Sequence, residues 1–548
     1  MKFADKTVYE IYVRSFYDAN GDGIGDLPGV ISKLDYLSDL GVDYLWLMPI
    51  YPSPQNDNGY DISDYYDIDP LFGTMQDMEQ LISEAKKRKI GIILDMVFNH
   101  TSTEHIWFQS ALAGDEKYQN YYFFRDGDPD TIPTNWQSKF GGPAWKYVPA
   151  LKKWYLHLFD ETQADLNWEN PAVRAELKKV VNFWKNKGIE GFRFDVINLI
   201  SKPEIFIDDP DGDGKKFYTD GRHVHTFLKE LTEDAGLHDM ITVGEMSATT
   251  IDHCIRYTNP EEKELSMCFN FHHLKVDYKD GDKWKLMEPD YQELKSILQK
   301  WQEKMQEKNG WEAVFWENHD QPRSVSRFGC EQKFWKESAK MLAATIHLMR
   351  GTPYVYQGEE LGMTNPHFRS LEQYRDVESK NYYHILLDQG KTPKEALDIL
   401  AARSRDNGRT PMQWSNDKNA GFSQGTAWIP LADNYLKINA EAEIKDSDSI
   451  YHFYKELIRL RKERKEISEG SITFVETKCS ELLAYERTWE NKKLLVLSNL
   501  SGHPALIEIK KEWAKYKVLM NNYPRVAWES ENREYMLREY EVIILEKN

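Results

Sequence analysis

The feature that most constrains the fold is an alternation. Up to about residue 360 of this 548-residue chain, short β-rich apolar runs recur between amphipathic helical stretches. Residues 8–16, 42–50, 90–98, 191–197, 240–246, 313–320 and 352–360 read as buried parallel strands, and 265–271 supplies an eighth. Helical patterns such as 75–89 and 173–188 lie between them. Strands that alternate with helices imply a parallel sheet covered by helices. Eight such units close into a barrel of about 250 residues. The expected fold is therefore α/β, a (β/α)8 TIM barrel. Residues 100–168, rich in Tyr, Trp, Asp and Gly, are too many for a connecting loop and are expected to form an inserted lid domain after strand three. From 470 onward short strands follow one another without helices, which predicts a C-terminal β-sandwich. The expected division is 1–99 and 169–469 for the barrel, 100–168 for the lid and 470–548 for the sandwich.

A net charge of −19 disfavours nucleic acid and anionic membranes as partners. No run of about 18 apolar residues is present, so no membrane helix is expected. The start, MKFADKTVYEIYVRSF, lacks the pattern of a signal peptide. Four scattered cysteines (Cys254, Cys268, Cys330, Cys479) lack metal-ligand spacing. Cys254 and Cys268 could pair in principle, but without a signal peptide reduced thiols in a cytoplasm are expected. The chain is expected to be a cytoplasmic monomer without an organic cofactor.

Chemistry concentrates where the proposed strands end. Strand three ends in Asp95 and then Asn99-His100, strand four in Arg193-Phe194-Asp195, strand five in Gly244-Glu245, and strand seven in Asn318-His319-Asp320. In a barrel these ends share one mouth. Burying so many charges together is costly unless they serve a site.

The ordered set DMVFNH (95–100), GFRFDVINL (191–199), VGEM (243–246) and ENHDQPR (317–323) resembles the α-amylase superfamily of glycoside hydrolases. QADLN (163–167) and SRDNGRTPMQW (404–414) resemble its oligo-1,6-glucosidase branch. The resemblance implies that Asp195 is the nucleophile, Glu245 the acid/base, with a raised pKa, and Asp320 a grip on sugar hydroxyls. Breaking a glycosidic bond with retention needs two carboxyl groups in such opposite roles. Arg193, two residues before Asp195 on the same strand face, can orient that carboxylate. His100 and His319 are expected to bond the same sugar. Asp61, in NGYDISDY (58–65), and Arg409 resemble the pair that closes the pocket behind a terminal glucose, which implies exo-action, and Tyr60 is a further expected substrate contact. Val196, directly after the nucleophile, goes in this branch with linkages other than α-1,4.

Further stretches resemble the trehalose-6-phosphate hydrolases: PTNWQSKFGG (133–142), YLHLFDETQADLNWEN (155–170), VGEMSATTIDHCIRYTNP (243–260) and FNFHHLKVDY (269–278). In the last, His272, His273 and Lys275 stand together, with Lys283 and Lys285 shortly after. A sugar phosphate approaching an acidic protein needs such a local cationic cluster. The expected reaction is hydrolysis of α,α-trehalose 6-phosphate to glucose and glucose 6-phosphate. The alternative is an exo-acting oligo-1,6-glucosidase for unphosphorylated isomaltose-type oligosaccharides.

DANGDGIGD (18–26) alternates Asp18, Asn20, Asp22 and Asp26 with small residues, a pattern of hard oxygen donors suited to Ca2+. The resemblance implies a structural Ca2+ site completed by the Ile24 carbonyl.

Overall fold

The computed structural model describes residues 2–524, 528 and 533–547. All eight expected strands form. They are Val8–Ile11, Tyr44–Leu47, Gly91–Met96, Gly191–Phe194, Ile241–Glu245, Met267–Phe269, Ala313–Val314 and Thr352–Tyr356, numbered below as the first to eighth barrel strands. They lie parallel in the order 6-5-4-3-2-1-8-7. A parallel bridge between Cys268 and Glu312 joins the sixth strand to the residue before the seventh and closes the circle.

Helices pack outside. The helix Met75–Lys87 begins in a capping box between Thr74 and Asp77, and buries Met78, Leu81 and Ala85 against the sheet. The helix Pro171–Lys187 starts with Asn170 as cap and Pro171 at its first position. Its apolar stripe, Val173, Leu177, Val180, Val181 and Trp184, follows the helical period, and Gly188 ends it at φ 103°.

Between the third and fourth strands the chain makes a three-stranded antiparallel sheet of Phe124–Asp126, Lys153–Leu156 and Trp145–Val148. His100–Ser102 pairs with Gln163–Asp165 at its base. A fully buried ion pair pins this unit to the barrel, with Lys202 Nζ 2.7 Å from Asp165 and 2.6 Å from Asn99 Oδ1.

The C-terminal region holds a five-stranded antiparallel sheet and a two-stranded one, Ala505–Glu508 with Glu534–Leu537. Alternation along the longer strands divides the five-stranded sheet. Leu483, Tyr485, Leu494 and Val496 join the main core, whereas Leu482, Ala484, Leu495 and Leu497 face a second core with Ala505, Ile507 and Leu537. The four cysteines are free; Cys254 and Cys268 are buried. Among the described residues no helix is long and apolar enough to cross a membrane.

Candidate active site

The barrel brings the strand-end residues around one guanidinium. Arg193, on the fourth strand, is level with Asp95 of the third and Val243 of the fifth. Its Nη1 donates to Asp95 Oδ1 (2.8 Å) and Asp195 Oδ1 (2.6 Å), and its Nη2 donates to Glu245. One cation therefore faces three carboxyl groups, and full ionisation would leave an excess of negative charge in a closed site. Burial pushes the Asp195 carboxyl well up, Arg193 opposes this, and Glu245 and Asp95 add to it. Burial likewise raises Asp95 to about 6 against the pull of Arg193. Asp195 is slightly more enclosed than Glu245, with 9% against 12% of the side chain exposed. The two carboxyls share one guanidinium.

Directly after Asp195 the backbone of Val196 is left-handed (φ 35°, ψ 39°). A β-branched residue pays for that conformation, and such strain collects at functional sites. The turn places Val196 in the wall of a cavity of about 240 Å3 that also holds Asp195, Glu245, Asp320, Tyr60 and His100.

Asp320 is held by Arg409 (2.6 Å) and lies 3.5 Å from Arg405. Burial alone would raise its carboxyl, but His319, Arg405 and Arg409 hold it well below the usual carboxylate range. Burial lowers His100 to about 4 and His319 to about 3, so both rings are neutral near pH 7.

The expected partnership of Asp61 and Arg409 does not form. The Asp61 carboxylate turns back into its own loop and accepts from Asn56 N (2.9 Å), Asp57 N (3.1 Å) and Ser53 Oγ (2.9 Å). That loop presents Asp57, which sequence reasoning missed, and Asp57 pairs with Arg405 at 2.9 Å in the cavity wall. Arg409 instead sits fully buried behind Asp320, its Nε donating to the His319 carbonyl. Asp57 directly precedes the NGYDISDY stretch and Arg405 lies within SRDNGRTPMQW, so their sequence signal is a charged residue at or beside a motif.

The cationic cluster also differs from its expected membership. Lys275 and Lys283 line the cavity; His272 and His273 do not. His273 is buried with Nε2 at 2.8 Å from the Phe315 carbonyl, and His272 lies against Trp301 with ring centroids 4.7 Å apart. Burial lowers both imidazoles to about 4, so neither carries charge near neutrality. Lys285 stays on the exposed side, 3.7 Å from Asp280. A further lysine, Lys139 of the inserted segment, lines the same cavity and reaches Ser247 Oγ (3.1 Å). Burial, then Lys215 and Lys275, lower it to about 8. Desolvation by the cavity walls and the charge of Lys215 also lower Lys275, although solvent reaches its chain through the opening.

The family model described as "Alpha amylase, catalytic domain" matches residues 10–470. The chain belongs to the alpha-amylase family. A second family model, "Alpha-amylase SusG C-terminal domain", matches residues 482–544. The chain is 51% identical to a trehalose-6-phosphate hydrolase of Bacillus subtilis, over 98% of this chain and 96% of that one. It is 45% identical to an oligo-1,6-glucosidase of Parageobacillus thermoglucosidasius, over 98% and 97%. Among solved structures, the trehalose-6-phosphate hydrolase of Bacillus licheniformis superposes with a TM-score of 0.94 at 51% identity, covering 99% of each chain. This alpha-amylase family member is accordingly a glycosidase, with its carboxyl groups gathered at the C-terminal mouth of the barrel.

Proposed function

We propose that this glycosidase hydrolyses α,α-trehalose 6-phosphate to glucose and glucose 6-phosphate with retention of configuration. One observation carries the choice of substrate. The cavity that holds Asp195, Glu245 and Asp320 is also lined by Lys139 and Lys275, neither of which has an ion-pair partner among the described residues. Lys283, also in that wall, is already neutralised by Glu378 at 2.7 Å. Two ammonium groups without a carboxylate partner, both lowered by burial and by the charge of Lys215, gain most from a dianion. The neutral glucosyl ring then lies against Asp320 and the Asp57–Arg405 pair, and the phosphorylated ring is the leaving group.

In this reading Glu245 protonates the glycosidic oxygen as Asp195 attacks the anomeric carbon, forming a glucosyl ester and releasing glucose 6-phosphate. Glu245 then takes a proton from water, which attacks the same carbon and frees Asp195. This chemistry requires Glu245 to carry a proton and Asp195 to be ionised when substrate is bound. Arg193 Nη1, 2.6 Å from Asp195, favours the anion there. Two inversions give α-glucose as the first-formed sugar. Proton NMR recorded within the first minutes of hydrolysis checks this, and β-glucose appearing first contradicts it.

The Ca2+ reading of residues 18–26 remains a proposal with its own test. Asp18 accepts from Gly21 N and Gly23 N, both at 2.7 Å, and Asp26 accepts from Gly29 N (2.6 Å) and Ala19 N (3.1 Å). Asp18 Oδ2 also accepts from Ser423 Oγ (2.5 Å) and Asp26 Oδ2 from Asn20 N (3.3 Å), so the oxygens with one donor each are Asp18 Oδ1 and Asp26 Oδ1, and these are the ones a hard cation would take. Among the described residues no group of three or more His, Cys, Asp or Glu makes a ligand set, so Asn20 and the Ile24 carbonyl would have to complete one with Asp18, Asp22 and Asp26. A chelator is expected to lower Tm by roughly 1 °C per kcal/mol of lost binding, with kcat unchanged once Tm is respected. An unchanged Tm, with no metal by elemental analysis, makes the loop an ordinary turn.

A further inference from the structure

Glu10 is the third residue of the first barrel strand and is 1% exposed. It does not line the cavity. Its Oε1 accepts twice from one residue, from the His319 main-chain N–H at 3.1 Å and in a 2.7 Å bond with Nδ1 of the ring. The other ring nitrogen, Nε2, lies 2.8 Å from the Tyr60 hydroxyl and 3.4 Å from Asp320. The imidazole is clamped by flat neighbours. Tyr60 lies parallel to it (centroids 5.3 Å, 6°) and Trp46 meets it edge-on (5.9 Å, 86°).

Such packing fixes the plane of the ring but not its sense. Turning an imidazole by half a revolution about Cβ–Cγ exchanges Nδ1 with one carbon and Nε2 with the other while keeping the shape. Only hydrogen bonds tell the two states apart, and Nδ1 has one partner, Glu10. The main-chain bond to the same oxygen keeps Glu10 from following the ring if it turns. Burying this carboxyl is unfavourable, and among the described residues no Lys or Arg forms an ion pair with it. Its retention there is explained by what it does to His319.

We propose that Glu10 is a positioning residue of the reaction: it sets the sense of the His319 ring and so aims Nε2 at the sugar held by Asp320. The proposal rests on the glucosidase reading of the cavity. It requires an acceptor oxygen at this point, not a charge.

An aryl α-glucoside with a chromogenic leaving group tests this, because it reports the glucosyl subsite whatever becomes of the phosphate reading. Glu10→Met, similar in length but without the oxygen, is expected to lose about 100-fold in kcat/KM, mainly in kcat. Glu10→Gln, which restores the oxygen, stays within about fivefold of the unsubstituted enzyme. In a His319→Ala background Glu10→Met has no further effect, since the ring to be aimed is gone. If Gln loses as much as Met, or if the full Met loss recurs without His319, the proposal is overturned and Glu10 serves only barrel packing. Should Glu10→Met not fold, long-range 1H–15N spectra of the histidine-labelled enzyme decide instead. His319 Nδ1 is expected to show a strong hydrogen bond, and an unbonded Nδ1 contradicts the proposal.

Discussion

Replacing Asp195 by Asn is expected to lower kcat by at least about 10⁴-fold on every substrate, with the circular dichroism spectrum and Tm little changed. The amide has the shape of the carboxyl and its oxygen still accepts from Arg193 Nη1, so the contact at 2.6 Å survives. What disappears is the nucleophile. The fold tolerates the change because burial and two neighbouring carboxyls already disfavour a negative charge at this position. Removing it relieves repulsion with Glu245 and Asp95. The substitution thus separates stability from catalysis. Residual turnover above about 1% in protein free of contaminating wild type would mean that another group attacks the anomeric carbon.

The second large effect concerns specificity. Replacing both Lys139 and Lys275 by Ala removes two cations that face the cavity without acidic partners. Each charge-assisted bond to a phosphate contributes about 1.5–3 kcal/mol, so the pair should cost roughly 10²- to 10⁴-fold in kcat/KM on trehalose 6-phosphate. Neither lysine touches Asp195 or Glu245 by hydrogen bond or ion pair, so the loss should appear as a higher KM with kcat nearly kept. Activity on an unphosphorylated aryl glucoside should change little. A double variant that still prefers the phosphorylated substrate by the original factor would move the phosphate to another part of the wall.

The barrel and its catalytic floor were legible because they rest on local pattern. Eight apolar strands announce themselves by composition, and the residue that ends each strand must point into the shared mouth. Asp195, Glu245, His319 and Asp320 therefore come together as expected. Side chains on irregular segments were not legible in the same way. His272, His273 and Lys275 are neighbours in sequence, yet only Lys275 reaches the cavity, because the rings find better burial against Trp301 and Phe315. Asp57 and Asp61 lie four residues apart in one turn, where Asn58 and Gly59 have left-handed φ values of 51° and 101°. That turn sends Asp57 toward Arg405 and folds Asp61 back onto the backbone, a choice that periodicity cannot express. Lys139 was missed for a different reason: its part in the site depends on how the inserted segment docks on the barrel, a tertiary contact with no local signal.

The most direct test of the whole account is kcat/KM for the purified enzyme on trehalose 6-phosphate, trehalose, isomaltose and maltose at one ionic strength. Two charged contacts to phosphate predict a preference for trehalose 6-phosphate over trehalose of at least about 100-fold, with isomaltose and maltose no better than trehalose. Equal efficiency on trehalose and its phosphate, or a preference for isomaltose over both, would contradict it and leave an oligo-1,6-glucosidase whose lysines serve another purpose.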